Sequence, residues 1–363
     1  MIQHLVLFCA TTIAAALLLP ADEGETYGIF GSDMRQKTAQ PEQGAGIPRS
    51  VTLRDNALVF SDRFSLTFQR TLRIPDDGNE YPLPPGLGSF PLYPVRDFRD
   101  RVPAHWDTEK GYILPMHQRE AMWIDFDAAY WKPNAVKVGV GLVNAVSGTE
   151  WNPGLGDAPQ DYLVVPDQPW LDGIKSGEGT IRQFIAVPLG TGYTVEAQVT
   201  GTESDGALRI AVFEPKPGHF PERPPEPGRD TFSRKAPALA QSLEDGGMGL
   251  GAGGTMRQKV YEDAYGVTTW SVEQKQEVVI YIVNSEQFQS LTGIPLPPSP
   301  IDAATYTSYG FPWFDLYDEH KKDLRASDPL KKVKSAGDLD EEHRLGKKDA
   351  SVSVPDSQVI KLK

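Results

Sequence analysis

At 363 residues the chain is too long for one minimal core and calls for one large domain or two modest ones. Its formal charge of −13 disfavours a sequence-independent grip on nucleic acid or anionic lipid, because both need a cationic face. A single cysteine, Cys9, leaves the body without a disulfide, a thiolate metal site or a cysteine nucleophile.

Leu5 to Ala21 is an apolar run of signal-peptide length, at the short limit for crossing a bilayer as a helix. No Lys or Arg precedes it, and Pro20-Ala21 offers a cleavage point with Leu19 at the −3 position. The expectation is export to the cell envelope or medium. The alternatives are an uncleaved anchor, which would be the chain's one membrane contact, or a cytoplasmic protein with a mis-assigned start or a buried helix. Residues 22–49 are polar and glycine-containing and read as a flexible lead-in.

A β-rich domain is expected over residues 50–317, because 34 glycines and 31 prolines favour many turns and short strands. Phe64 to Ile74 alternates cleanly, with Arg70 the one exception on its apolar face. Tyr81 to Pro94 is too proline-rich for a central strand and reads as an extended cover over an apolar surface. Ala121 to Ala129 puts Met122, Ile124 and Phe126 on one face and Trp123, Asp125 and Asp127 on the other. Ala135 to Val146 groups Val136, Val138, Val140 and Leu142, and leaves Gly139 and Gly141 on a face open to close approach. Gly192 to Thr200 and Ala207 to Phe213 read as two further strands, and Val278 to Val283 as a central one.

A short element nearly recurs: Gly179-Thr-Ile-Arg-Gln183 and Gly254-Thr-Met-Arg-Gln258, each after a glycine-rich approach that reads as a turn launching a strand. Strand alternation puts Thr180, Arg182 and Phe184 on one face and Ile181, Gln183 and Ile185 on the other. Gln183 and Gln258 then fall inward, where an amide needs partners, and Arg182 and Arg257 fall outward. One reading has the glutamines tying down loop backbone and the arginines making ion pairs. The other has the two arginines converging on an anionic or polyhydroxylated ligand across a pseudo-twofold axis.

Trp123 beside Asp125 and Asp127 joins an aromatic platform to two carboxylates, a combination suited to a glycan. His117 and Glu120 lie just upstream, on opposite faces if that stretch is a strand. Asp167 to Gly173 has turn acids without calcium-loop spacing, and no nucleophile elbow, phosphate loop or dinucleotide fingerprint occurs. No cofactor, metal or catalytic residue is expected. Gly310 to Tyr317 is a dense aromatic cluster expected to seal one end of the core. Residues 318–363 read as a charged tail, loosely docked or disordered, with a short helix near Asp328 to Lys334.

Several segments resemble an uncharacterised bacterial family: RTLRIPDDGNEYPLPPGLGSFPLYPV, ILPMHQREAMWIDF, AVKVGVGLVNAVSG, GTIRQFIAVPLGTGYTVEAQVTG and GMGLGAGGTMRQKVYEDAYG. The resemblance runs from about Arg70 to Glu342 and implies no established activity, cofactor or site residues. The expected fold is mostly β, an antiparallel sandwich or partly closed barrel. The leading functional expectation is a non-enzymatic binding or structural protein, with a glycan or cell-surface polymer as partner. A carboxylate-dependent glycan hydrolase and an intracellular scaffold are the alternatives.

Overall fold

Residues 51–225, 247–295, 298, 301–316, 320–346 and 348–362 are described by the computed structural model. The leader and the lead-in lie outside the described residues. The main elements are β1 (Phe64–Thr71), β2 (Gly111–Met116), β3 (Ala121–Ala128), β4 (Asn134–Val140), β5 (Gly173–Gly177), β6 (Thr180–Pro188), α1 (Val195–Thr200), β7 (Leu208–Pro215), β8 (Met248–Arg257), β9 (Trp270–Asn284), α2 (Ser285–Thr292), β10 (Trp313–Leu316), α3 (Ala336–Glu342) and β11 (Val359–Leu362).

Two large sheets carry most of these strands. The first runs β1, β3, β6, β8 through its centre, with β5 paired to β6 and short strands at its edges. The second runs β4, β7, β9, β2. Both are mixed rather than purely antiparallel, because β9 pairs β2 in parallel and β8 pairs Glu80–Tyr81 in parallel. Neither sheet closes on itself, so the barrel expectation falls. One continuous apolar cluster takes Leu66, Phe68 and Ile124 from the first sheet and Val138, Ile210 and Ile280 from the second.

The alternation in β1 holds: Phe64, Leu66 and Phe68 are buried and the residues between them half-buried. Arg70, the polar exception, keeps its inward position because Glu120 neutralises it there, with Nε donating to Oε1 at 2.6 Å. In β4 the alternation ends early. Gly141 turns the chain at φ +59, a region glycine enters at little cost, and Leu142 is pushed out to 36% exposure. The close approach over Gly139 is made by Trp151, whose ring would stand 2.5 Å from an added Cβ.

Gly192 to Thr200 is not a strand. Thr194 Oγ1 accepts the Ala197 N–H at 3.0 Å and Gly201 closes the C-terminus at φ +77, so capping at both ends makes the segment the helix α1. The glycine-rich approach to the second repeat is likewise no turn but strand β8 itself. An added Cβ at Gly254 would lie 2.4 Å from the Pro75 carbonyl oxygen, and one at Gly251 2.9 Å from that of Tyr193. Glycine lets neighbouring backbone lie directly on this strand.

The charged C-terminal stretch belongs to the same compact unit, Ile47–Lys363. Leu330, Val333, Ser335 and Ala336 are buried, β11 pairs β10, and helix Asp328–Lys331 starts on a Ser327 cap. Among the aromatic cluster, Trp313 is fully buried, its indole N–H donating to Thr307 Oγ1 at 3.1 Å, while Phe311 is 46% exposed.

Candidate functional site

The two repeat strands lie side by side. Thr180 stands opposite Arg257, Ile181 opposite Met256 and Arg182 opposite Thr255, so each copy's threonine meets the other's arginine. Arg182 and Arg257 are diagonal neighbours on one sheet face. Each has its own carboxylates. Arg182 Nη1 is 3.8 Å from Asp338 Oδ2, and Arg257 Nη2 is 3.0 Å from Asp315 Oδ1 with Nε 3.6 Å from Glu80 Oε1. The arginines therefore face anions of the chain itself rather than an open cradle.

The expected alternation through the first copy breaks, because the pairing slips between Arg182 and Phe184. Phe184 joins the main core with Met122 opposite it. Its neighbour Ile185 packs with Ala336 and Leu339 of α3, the helix whose Asp338 meets Arg182. A one-residue irregularity changes which side every later residue faces, so Arg182 and Ile185 reach the same helix.

Gln183 and Gln258 are buried and do the same job in two places. Gln183 donates to the Leu72 carbonyl at 2.9 Å and accepts the Ile74 N–H at 3.1 Å. Gln258 donates to the Trp170 carbonyl at 3.4 Å and accepts the Asp172 N–H at 3.0 Å, with a further bond to Asp172 Oδ2 at 2.7 Å. Each amide brackets one residue of a neighbouring segment, as a strand neighbour would. Gln168 brackets Val260 less tightly, between the Lys259 carbonyl at 3.3 Å and the Tyr261 N–H at 3.1 Å. Gln160 does so for the Tyr261 carbonyl and Asp263 N–H at 3.2 and 2.8 Å. Gln258 and Gln168 thus stitch residues 168–172 and 258–261 together in both directions.

Trp123, Asp125 and Asp127 do share the outer face of β3. Across from them on β1 stand Gln69, Thr67 and Ser65 in turn. On the other side Trp170 pairs with Asp125, and its ring meets Trp123 edge-on at 6.1 Å between centroids. Trp123 is 9% exposed, and its indole N–H has no hydrogen-bond partner among the described residues. Burial, and then the neighbouring Asp127, raise the Asp125 carboxyl to about 6. Asp127 is exposed. Two aromatic rings, a spare N–H donor and two carboxylates thus occupy one strip of sheet. Trp170 joins this strip only through its register with Asp125, which no local pattern carries beyond the tryptophan itself.

His117 and Glu120 are not on opposite faces of a strand. They flank a tight turn with Arg119 at φ +67, and Glu120 Oε2 accepts the His117 N–H at 2.7 Å. Both are buried, and burial drives Glu120 up to about 7 against the pull of Arg70. Asp167 pairs with Lys321 at 2.8 Å while Asp172 is buried against Gln258, so the turn acids do not converge. Among the described residues no group of three or more His, Cys, Asp or Glu is placed to hold a metal ion. No described helix is long and apolar enough to cross a membrane.

Two lysines are fully buried, each against a carboxylate from another segment. Lys137 Nζ bonds Asp161 Oδ2 at 2.6 Å, and Lys175 Nζ bonds Asp323 Oδ1 at 2.6 Å. Compared with known proteins, the chain matches no family model, no curated protein and no solved structure.

Proposed function

We infer that the protein is an exported, non-enzymatic β-sandwich that binds a glycan or similar polyhydroxylated polymer on the outer face of β3. The observation that carries this reading is the buried Trp123 N–H, left without a described partner beside Trp170, Asp125 and Asp127. A sugar ring offers C–H faces for the indoles, a hydroxyl oxygen for the spare donor and hydroxyl protons for the carboxylates. Gln69, Thr67 and Ser65 extend the polar strip along the strand direction, as a polymer requires.

The test is a glycan array on wild type, Trp170→Ala and Asp125→Asn. Binding by wild type that falls at least tenfold in both variants supports the site. No wild-type binding to any glycan sinks the polymer version, and unchanged binding by both variants removes the site.

A hydrolase reading draws on one observation, the carboxyl of Asp125 raised to about 6 next to a second carboxylate. Against it, Asp125 and Asp127 project from the same strand face two residues apart. They would approach a glycosidic bond from one side, where hydrolysis needs an acid and a second carboxylate placed about it. Release of reducing ends from a bound glycan, abolished by Asp125→Asn, would reverse this preference.

A further inference from the structure

We propose that Lys137 and Asn152 form an intramolecular isopeptide cross-link, with Asp161 carrying the proton. The lysine is fully buried on β4, on the side covered by Trp151, whose ring centroid is 5.6 Å from Nζ. Its amine has three contacts: Asp161 Oδ2 at 2.6 Å, the Gly154 carbonyl at 2.6 Å and Asn152 Oδ1 at 3.1 Å. The amine thus donates to the carboxamide oxygen, and the carbon it would attack lies one bond beyond Oδ1. Asp161 is itself buried and is fixed by the Gly156 N–H, which donates to its other oxygen at 2.8 Å.

The step balances without a co-reactant. Asp161 takes a proton from the Lys137 ammonium, and the freed amine attacks Asn152 Cγ. The Nζ–Cγ bond forms, Asp161 returns the proton to Nδ2, and the Cγ–Nδ2 bond breaks. Nitrogen leaves as ammonia, with the remaining amine proton making it ammonium in water, and Asp161 ends as it began, a carboxylate. Trp151 and the loop behind it keep water from the nucleophile, where a positioned carboxylate is most effective as acid and base. The product would tie β4 to the loop covering it in a chain whose body has no cysteine.

The experiment is peptide-level mass spectrometry of the folded full chain. The expected result is one joined species containing Lys137 and Asn152, lighter than the two free peptides by one ammonia. It should be absent in Asn152→Ala, whose altered side chain is exposed and leaves the fold in place. Recovery of both wild-type peptides free overturns the proposal. So does a joined species containing Asp161 and lighter by one water, which would make Asp161 the acceptor rather than the proton carrier.

Discussion

Lys175 and Asp323 lie 148 residues apart in sequence, yet Lys175 Nζ donates to both Asp323 carboxylate oxygens, at 2.6 and 2.5 Å. The same carboxylate accepts the Gly179 N–H at 2.5 Å and the Val260 N–H at 2.8 Å. It therefore closes the turn before the first repeat and secures the residues after the second. Burial pushes the Lys175 pKa down, against the pull of Asp323. Removing the anion strands a buried cation and two N–H groups, so Asp323→Ala should cost about 3–5 kcal/mol in urea unfolding. Arg257→Ala loses its contacts to Asp315 and Glu80 at an arginine that is 54% exposed, and should cost about 1 kcal/mol or less. Equal costs would refute this ranking.

The glutamine brackets predict a second ranking. Gln183→Met and Gln258→Met keep the volume but orphan two backbone groups each, and should each lose about 1–3 kcal/mol of stability. Hydrogen exchange locates the effect: the Ile74 amide should lose protection in Gln183→Met, and the Asp172 amide in Gln258→Met. Loss confined to neither segment would show that the amides do not secure them.

Asp172 supplies a pH signature. Burial raises its carboxyl from an ordinary 3.8 to about 7, against hydrogen bonds from Trp170 and Gln258. Between those values the folded chain holds a proton that the unfolded chain has released. Its contribution to stability is complete below about pH 4 and is lost as pH rises through about 7, at up to about 1.4 kcal/mol per pH unit. Asp172→Asn stays uncharged and should flatten the fall in urea midpoint over that window. Glu120, also raised to about 7, leaves a residual slope. Parallel profiles for wild type and variant would exclude Asp172 as a source.

Glycine packing can be tested at two sites with one control. Gly254→Ala and Gly139→Ala bring a methyl group against the Pro75 carbonyl and the Trp151 ring, and should each destabilise by about 1–3 kcal/mol. Gly154→Ala meets nothing nearer than 3.6 Å and should be close to neutral in thermal melts.

Where one face of a strand is buried, its residues announced it. Phe64 to Thr71 and Ala121 to Ala128 could be read from alternation alone, as could the outward trio Trp123, Asp125 and Asp127. Alternation misled where chain direction changes. The glycine at 141 ended β4 before Leu142, and the caps Thr194 and Gly201 turned a strand-like TVEAQVT into helix. Local pattern also carries no information about partners far along the chain. Lys137 and Lys175 carry no local mark of burial, because the carboxylates that permit it, Asp161 and Asp323, come from other segments. Trp170 became part of the candidate surface only through its register with Asp125.

The docking of the C-terminal segment also sets an order of events for folding. Arg73 pairs with Asp349 across 276 positions, and the Gly337 N–H donates to Asp76 across 261. The segment that follows β1 is thus held by residues more than 260 positions away, and such non-local closure is slow. Until those distant segments fold back, residues 73–76 lack these bonds, a state open to mispairing.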